Sequence, residues 1–498
     1  MHIQRLTWAV AAVLSVGTSW AAEMPDTSKM NVLFIDIEDC TSRAFGCYGN
    51  TICKTPNIDR LAATGVRFDA AHCQGVCCNP SRVSFMTGLR PSSTHVFQNN
   101  QPILKSLAPG TLTLPEMIKN KGIYAANVAK LFHGQHETPQ LGVFDRLEMT
   151  AKPTGWKGPD PILKFPPLPR ELQSPRPPTT NLNSPQYRQW RRERSSRWGA
   201  SGLTDEQEPD GKIGRIASAL LKEFAQTKKQ FFLSVGSSRP HTPLICPQKY
   251  IDMYDPAEIP WPKAPPEKDK NIPPVAVNFG RSHDIYPERE QAREVVAAYY
   301  ACVTFLDTQL GLVLDTLDAT GLAENTIVIF FSDHGFHLGE HGLWSKYSLF
   351  DPTTQVPLIV RVPGAAANGQ VSQRLVELVD LVPTIGQLID LDLPDNLEGT
   401  SLVPLLLDAD RPWKKAAFTE WGDKGERRSM RTDRYRYNEW LYKGERILEL
   451  YDYRTDPWET VNLAGDPAHQ ATQKELAALS KAGWKACLPP KTGRIEEK

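Results

Sequence analysis

The sequence predicts an α/β protein with a large, mostly parallel sheet between helices and a smaller antiparallel unit after it. Three observations carry this expectation. Val32-Leu33-Phe34-Ile35 and Thr326-Ile327-Val328-Ile329-Phe330-Phe331 are near-continuous apolar runs, the pattern of strands buried on both faces. Ala292 to Ala319 repeats its apolar positions with helical period, and together with the strand-like Phe231-Phe232-Leu233-Ser234-Val235 it sets strands and helices in alternation. After about Pro394 the pattern changes to short strand-like pieces, Ala417 to Trp421, Tyr435 to Trp440 and Ile447 to Tyr451, closed by a helix from about Ala471 to Trp484. The expected division is a leader over 1–22, a large domain over 23–394 and a C-terminal subdomain over 395–498.

A chain of 498 residues is long enough for such a core and an appended unit. Its 57 basic side chains balance 57 acidic ones, so no global field recruits nucleic acid or an anionic membrane, and an anionic substrate has to be captured by local charge. The leader reads as a secretory signal. Arg5 supplies the positive end, Leu6 to Val16 the short apolar core, and Ser19-Trp20-Ala21 the small-residue cleavage site. No later apolar run approaches the roughly 20 residues of a bilayer span, and no cysteine follows the signal to accept a lipid. The nine cysteines all lie beyond it, where an oxidising compartment permits disulfides, and their odd number leaves at least one unpaired. The chain has no Asn-x-Ser/Thr sequon with a permitted middle residue, so a secreted or periplasmic bacterial location fits better than a glycosylating pathway.

Both continuous strands run into polar, chargeable residues: the first into Glu38-Asp39, the second into Ser332-Asp333-His334-Gly335. Ligands of open parallel sheets bind beyond the carboxyl ends of the strands, which places these residues at one crevice. The Pro-rich stretches Pro153 to Pro185 and Pro256 to Pro287 are too long for simple connectors and read as ordered surface loops around it. Cys78-Asn79-Pro80-Ser81-Arg82, followed by Met86-Thr87-Gly88, is the most specific element. Pro80 suits the first turn of a helix and Asn79 its N-cap, so Cys78 is expected just before a helix N-terminus with Arg82 one turn on, a setting that favours an oxyanion ester.

Here the chain resembles the sulfatases of the alkaline phosphatase superfamily, whose motif is Cys-x-Pro-Ser-Arg followed by x-x-x-[Leu/Met]-Thr-Gly. The likeness extends through Gly46-Cys47-Tyr48-Gly49, Thr55-Pro56-Asn57-Ile58-Asp59, Lys130 to His133, Ser332 to Asp351, Leu375 to Thr384 and Glu449-Leu450-Tyr451-Asp452, and within the family it is nearest to the iduronate-2-sulfatases and their bacterial relatives. The resemblance implies an alkaline-phosphatase-like fold and hydrolysis of O-sulfate esters of a sulfated carbohydrate. It implies that a formylglycine-generating enzyme or maturase oxidises Cys78 to formylglycine (3-oxoalanine), whose hydrated aldehyde is the nucleophile.

Glu38, Asp39 and Asp333, with His334 adjacent, supply the oxygen-rich ligands that a hard divalent cation needs. The resemblance implies one calcium ion, less often magnesium, held by these four with the modified Cys78. The sequence departs from the family pattern at Glu38, where aspartate is commoner, and Asp36 is its rival as ligand. The resemblance further implies that Lys130 and His133 contact the formylglycine, with His133 as base, and that His241 and Lys346 hold the sulfate and protonate the leaving oxygen. His337, Glu340, His341 and Tyr347 flank the same segment without assigned roles. Two other readings stay open: a phosphodiester or phosphonate monoester hydrolase on the same fold, and an anion-binding protein in which Cys78 stays unmodified.

Overall fold

A computed structural model describes residues 24–133, 140–149, 161–169, 177–179, 181, 184–278, 289–422 and 425–490. The expected secretory leader and parts of both Pro-rich stretches lie outside the described residues. The frame is an eight-stranded sheet built from β1 (Asn31–Ile37), β2 (Val66–Phe68), β3 (Tyr124–Ala129), β4 (Arg146–Glu148), β5 (Phe231–Gly236), β6 (Thr326–Ser332), β7 (Leu358–Arg361) and β8 (Val371–Ser372). Its spatial order is β8-β2-β7-β6-β1-β5-β3-β4. β1 lies between β5 and β6, parallel to both, and only β7 enters antiparallel to its neighbours.

The two faces of β1 are buried in different cores, as its unbroken apolar sequence requires. Val32 and Phe34 join one, and Leu33, Ile35 and Ile37 the other. The second core is covered by α1 (Pro56–Thr64), α3 (Pro209–Thr227) and α4 (Ala292–Ala319). α4 is apolar and long enough to cross a membrane, but 83% of its most apolar window is buried, which marks it as the central helix of this face. The first core receives α2 (Cys78–Thr87) and α5 (Leu381–Leu388). Phe85 of α2 packs edge-on against Phe331 of β6 at 4.9 Å between ring centroids, and Phe331 meets Phe34 of β1 at the same separation. These rings anchor α2 over the two strands whose tips carry the acidic residues.

The C-terminal part is a four-stranded antiparallel meander of β9 (Ala416–Trp421), β10 (Arg427–Thr432), β11 (Tyr435–Tyr442) and β12 (Glu445–Asp452), followed by α6 (Gln470–Ala482). β10 was not expected from the sequence: its Arg-Arg-Ser-Met-Arg-Thr lacks apolar alternation, and only Ser429 and Met430 are buried. The described parts of the second Pro-rich stretch hold short helical turns such as Pro256–Glu258 and Pro274–Asn278.

Candidate active site

Strand register builds the site. Ile37 of β1 lies opposite Ser332 of β6, so Glu38-Asp39 and Asp333-His334 leave the sheet side by side. Asp333 N–H donates to Ile37 O and Asp39 N–H to Asp333 Oδ1, both at 3.1 Å, which locks the two tips together. Asp39 has a left-handed backbone (φ 57°), turning its carboxylate back over the strand ends. On the other side, Ala129 of β3 pairs with Gly236 of β5, and a Cβ at Gly236 would lie 1.5 Å from Lys130 O. Glycine is therefore required for Lys130 to leave β3 beside the site. Ala129, Ser345 and Tyr347 also have positive φ, so both Lys130 and Lys346 are delivered from strained backbone.

Cys78 differs from its sequence expectation in one respect. It is the first residue of α2, with Cys77 as N-cap, whereas Asn79 was expected in the cap. The reason is that Asn79 Nδ2 donates to Gln98 O and Gln101 O, and Asn79 N–H to Asn99 Oδ1, so its amide ties the helix to the following loop. Cys78 is buried, and its Sγ lies 3.1 Å from Lys346 Nζ, 3.3 Å from Glu38 Oε1, 3.5 Å from His334 Nε2 and 3.8 Å from Asp39 Oδ1.

The charges around it are held by one another. Lys346 Nζ bonds both oxygens of Asp39 at 2.8 and 3.0 Å, and Lys130 Nζ is paired with Glu38 Oε1. Burial opposes ionisation of Glu38, yet Lys130 and His241 hold its carboxyl well below the ordinary range, and Asp39 falls to about 2 against the same opposition through His241 and Lys346. His334 Nδ1 lies 2.9 Å from Gly335 O, a bond in which the ring N–H donates and which leaves Nε2 as the free nitrogen facing Asp39 Oδ1 at 3.2 Å. His241 is fixed in the same way by Thr242 O at 2.7 Å, and its Nε2 sits 3.8 Å from Asp39 and 4.0 Å from Glu38. Burial, with Lys130 beside it, pushes His133 down to about 3, so its imidazole is neutral. His241 and Lys130 keep 28% and 25% exposure, which marks the side from which a ligand enters.

Two expected residues take up other positions. Arg82 is fully buried beneath the site, its Nη1 bound to Asp36 and to Leu131 O (2.9 Å) and its Nη2 3.1 Å from Asp333 Oδ2. It positions the strand tips from below and does not open to the crevice. Asp36 is its partner, and burial pushes that carboxyl up to about 8 despite Arg82, with Asp333 and Glu38 adding to the rise. Glu38, one alternation further along, is the carboxylate that reaches Cys78. His337 is bonded to Ser348 Oγ and His341 to Asp269, so both shape the loop. Sequence reading did not single out Ser81, whose hydroxyl donates to Asp333 O, or Ser332, whose hydroxyl accepts from Cys40 N–H and donates to His334 O. Ser81 stands in the Cys-x-Pro-Ser-Arg motif, which was the signal available for it, whereas Ser332 carries none.

The donor set fits a hard divalent cation. Ligand atoms of Asp39, Cys78, Asp333 and His334 all lie within 4.8 Å of one another, and those of Glu38, Asp39 and His241 form a second, overlapping group.

A parallel sheet whose strand tips converge on a nucleophile position at a helix start, with carboxylates and lysines around it, defines a hydrolase of oxyanion esters. The sulfatase family model matches residues 30–391, and the chain belongs to that family. The model for the N-sulphoglucosamine sulphohydrolase C-terminal region matches residues 339–482. A sulfatase of Formosa agariphila is 32% identical over 481 residues, covering 93% of this chain and 89% of that one. Iduronate 2-sulfatase of Homo sapiens is 31% identical, covering 78% and 74%. Among solved structures, a 2-O GAG sulfatase superposes with a TM-score of 0.67 at 25% identity, covering 91% of each chain. A phosphonate monoester hydrolase from Silicibacter pomeroyi gives 0.73 at 22% identity, covering 92% and 96%, a likeness of fold.

Proposed function

We propose that this sulfatase removes sulfate from a carbohydrate, in the manner of the iduronate-2-sulfatases, with formylglycine made from Cys78 by a generating enzyme or maturase. One observation carries the reading: Cys78 Sγ lies at the start of α2 within 3.1 to 3.8 Å of Lys346, Glu38, His334 and Asp39. The relatives add weight, since they include an N-acetylglucosamine-6-O-sulfatase and a Δ4,5-hexuronate-2-O-sulfatase of Bacteroides thetaiotaomicron. We also propose that residues 1–22 direct export to a bacterial periplasm or beyond, with cleavage near Ala21.

Once Cys78 is oxidised, its hydrated aldehyde supplies one oxygen to attack sulfur and a second hydroxyl to expel sulfate as the aldehyde returns. Glu38, Asp39, Asp333 and His334, with the modified Cys78, would hold one Ca2+ or Mg2+, which when bound polarises the sulfate oxygens. The remaining work falls to the chain. Lys346, anchored on Asp39, and His241, with its Nε2 toward the crevice, bind sulfate oxygens and protonate the departing ester oxygen. Lys130 orients the nucleophile, and neutral His133 takes the proton when sulfate is released. Arg82 keeps Asp36 and Asp333 in place.

Hydrolysis of an aryl sulfate against the matching aryl phosphate tests the reaction class. The proposal expects sulfate to be preferred by at least about a hundredfold, about 2.8 kcal/mol in transition-state binding. Preference for the phosphate would favour the phosphoester reading, and tight sulfate binding without turnover would favour an anion-binding protein.

A further inference from the structure

A second concavity lies behind the strand tips, on the catalytic domain's junction with the C-terminal sheet. It encloses about 650 Å³, and its walls include Tyr48, Trp261, Tyr300, Trp458, Arg43 and Lys263. It runs into a neighbouring cavity of about 450 Å³ with which it shares Asp69, Gln355 and Pro457, so the two form one groove. None of its lining residues belongs to the candidate active site. Ser42 of the groove follows Asp39 of the site by three residues, with Cys40 and Thr41 between them buried.

The lining combines features of one ligand chemistry. Trp261 is 44% exposed among the described residues. Its ring is steadied by Arg293 and Arg289, whose guanidinium carbons lie 4.7 and 5.6 Å from the ring centroid, and Trp458 is steadied by Arg43 at 4.3 Å. Rigid, part-exposed indoles in a concave wall suit the apolar C–H face of a pyranose ring. Arg43 donates through Nη2 to Asp351 at 3.2 Å, while its Nη1 is buried with no partner. A buried guanidinium nitrogen of this kind calls for an acceptor, and exposed Lys263 adds a second cation on the same wall.

We infer that this groove is an ancillary saccharide-binding site that takes a sugar unit of an acidic oligosaccharide, stacking its ring on Trp261 and Trp458 and its sulfate or carboxylate on Arg43 and Lys263. The inference rests on the carbohydrate reading of the active site but concerns a separate surface. It makes the enzyme favour polymeric over small substrates, because a second contact raises the effective concentration of chain near the catalytic crevice.

Calorimetric titration of heparin, chondroitin sulfate and carrageenan oligosaccharides into the full-length Cys78→Ala protein carrying His241→Ala to weaken the catalytic pocket tests it. At least one oligosaccharide should still bind, and Trp261→Ala and Lys263→Glu should each weaken that binding by about fivefold to tenfold. In the otherwise wild-type enzyme the same two substitutions should leave aryl sulfate turnover unchanged while raising KM for the oligosaccharide. Unchanged affinity in both variants, or no binding by any of the three, would overturn the groove. Failure of the wild-type enzyme to release sulfate from any saccharide, with Trp261-dependent binding retained, would instead sink the carbohydrate activity and leave the groove standing.

Discussion

Two buried charge clusters in this molecule look alike in composition and differ in what they leave unpaired. At the junction with the C-terminal sheet, Glu377 and Asp380 face Arg90 and Lys414, two carboxylates against two cations. Every carboxylate oxygen there is bonded: Glu377 takes a bidentate pair from Arg90 at 2.7 Å, and Asp380 takes Lys414, Thr400 N–H and Glu377 N–H. At the strand tips Asp36, Glu38, Asp39 and Asp333 stand against Arg82, Lys130 and Lys346, and Asp36 Oδ1 has no hydrogen-bond partner. The first cluster is closed and serves cohesion. The second is not closed, with Asp36 Oδ1 unbonded and Lys130 25% exposed toward the crevice, which is what a site that receives a ligand requires.

The comparison can be broken at either end, and the largest effect should come from the nucleophile. Cys78→Ala should lower aryl sulfate turnover by at least about a thousandfold and leave the melting temperature within a few degrees, because the side chain lost is small. Breaking the closed cluster should do the reverse. Arg90→Met removes the bidentate partner of the buried Glu377 and leaves Lys414 alone against two carboxylates, and should cost about 3 kcal/mol or more of stability in urea unfolding, with kcat of the remaining folded enzyme unchanged.

Calcium should separate the clusters next. Adding it at about a hundred times its Kd should stabilise the protein by about 2.7 kcal/mol, and Asp39→Asn should abolish that gain while Arg90→Met keeps it. The response to acid is a further contrast. Burial raises the cost of ionised Glu377, but Arg90 and Lys414 hold its carboxyl below the ordinary 4.5. A depressed acid contributes stability above its unfolded value and loses it as pH falls through the folded one. Wild-type stability should therefore drop steeply below about pH 4.5, and Arg90→Met, which keeps only the Lys414 part of that contribution, should show a shallower slope in urea midpoint against pH. Glu38→Asp should give the smallest effect, about threefold to tenfold in kcat, since a carboxylate is retained but set back from Lys130 and Cys78.

Much of this architecture was legible before any coordinates. The runs at Val32 and Thr326 are strands because both faces are buried, and α4 spans Ala292–Ala319 as its period indicated. Choosing between Asp36 and Glu38 was beyond sequence, because strand alternation places positions two apart on one face. Only α2 docked on that face shows that Asp36 meets Arg82 while Glu38, past the strand end, meets Cys78. Lys130, His133, His241 and Lys346 lie on three separate connections, and their convergence depends on strand order, which local spacing does not encode. The cap of α2 was misplaced because Asn79 uses its amide across a loop twenty residues away in sequence.

The central claim is that the thiol enclosed by Lys346, Glu38, His334 and Asp39 is the precursor of a carbonyl. Mass spectrometry of the tryptic peptide containing Cys78, taken from active enzyme made in a maturase-competent host, measures this directly. The account predicts a mass lower by about 18 Da than the thiol form. A fully unmodified Cys78 in enzyme that turns over sulfate esters would contradict it.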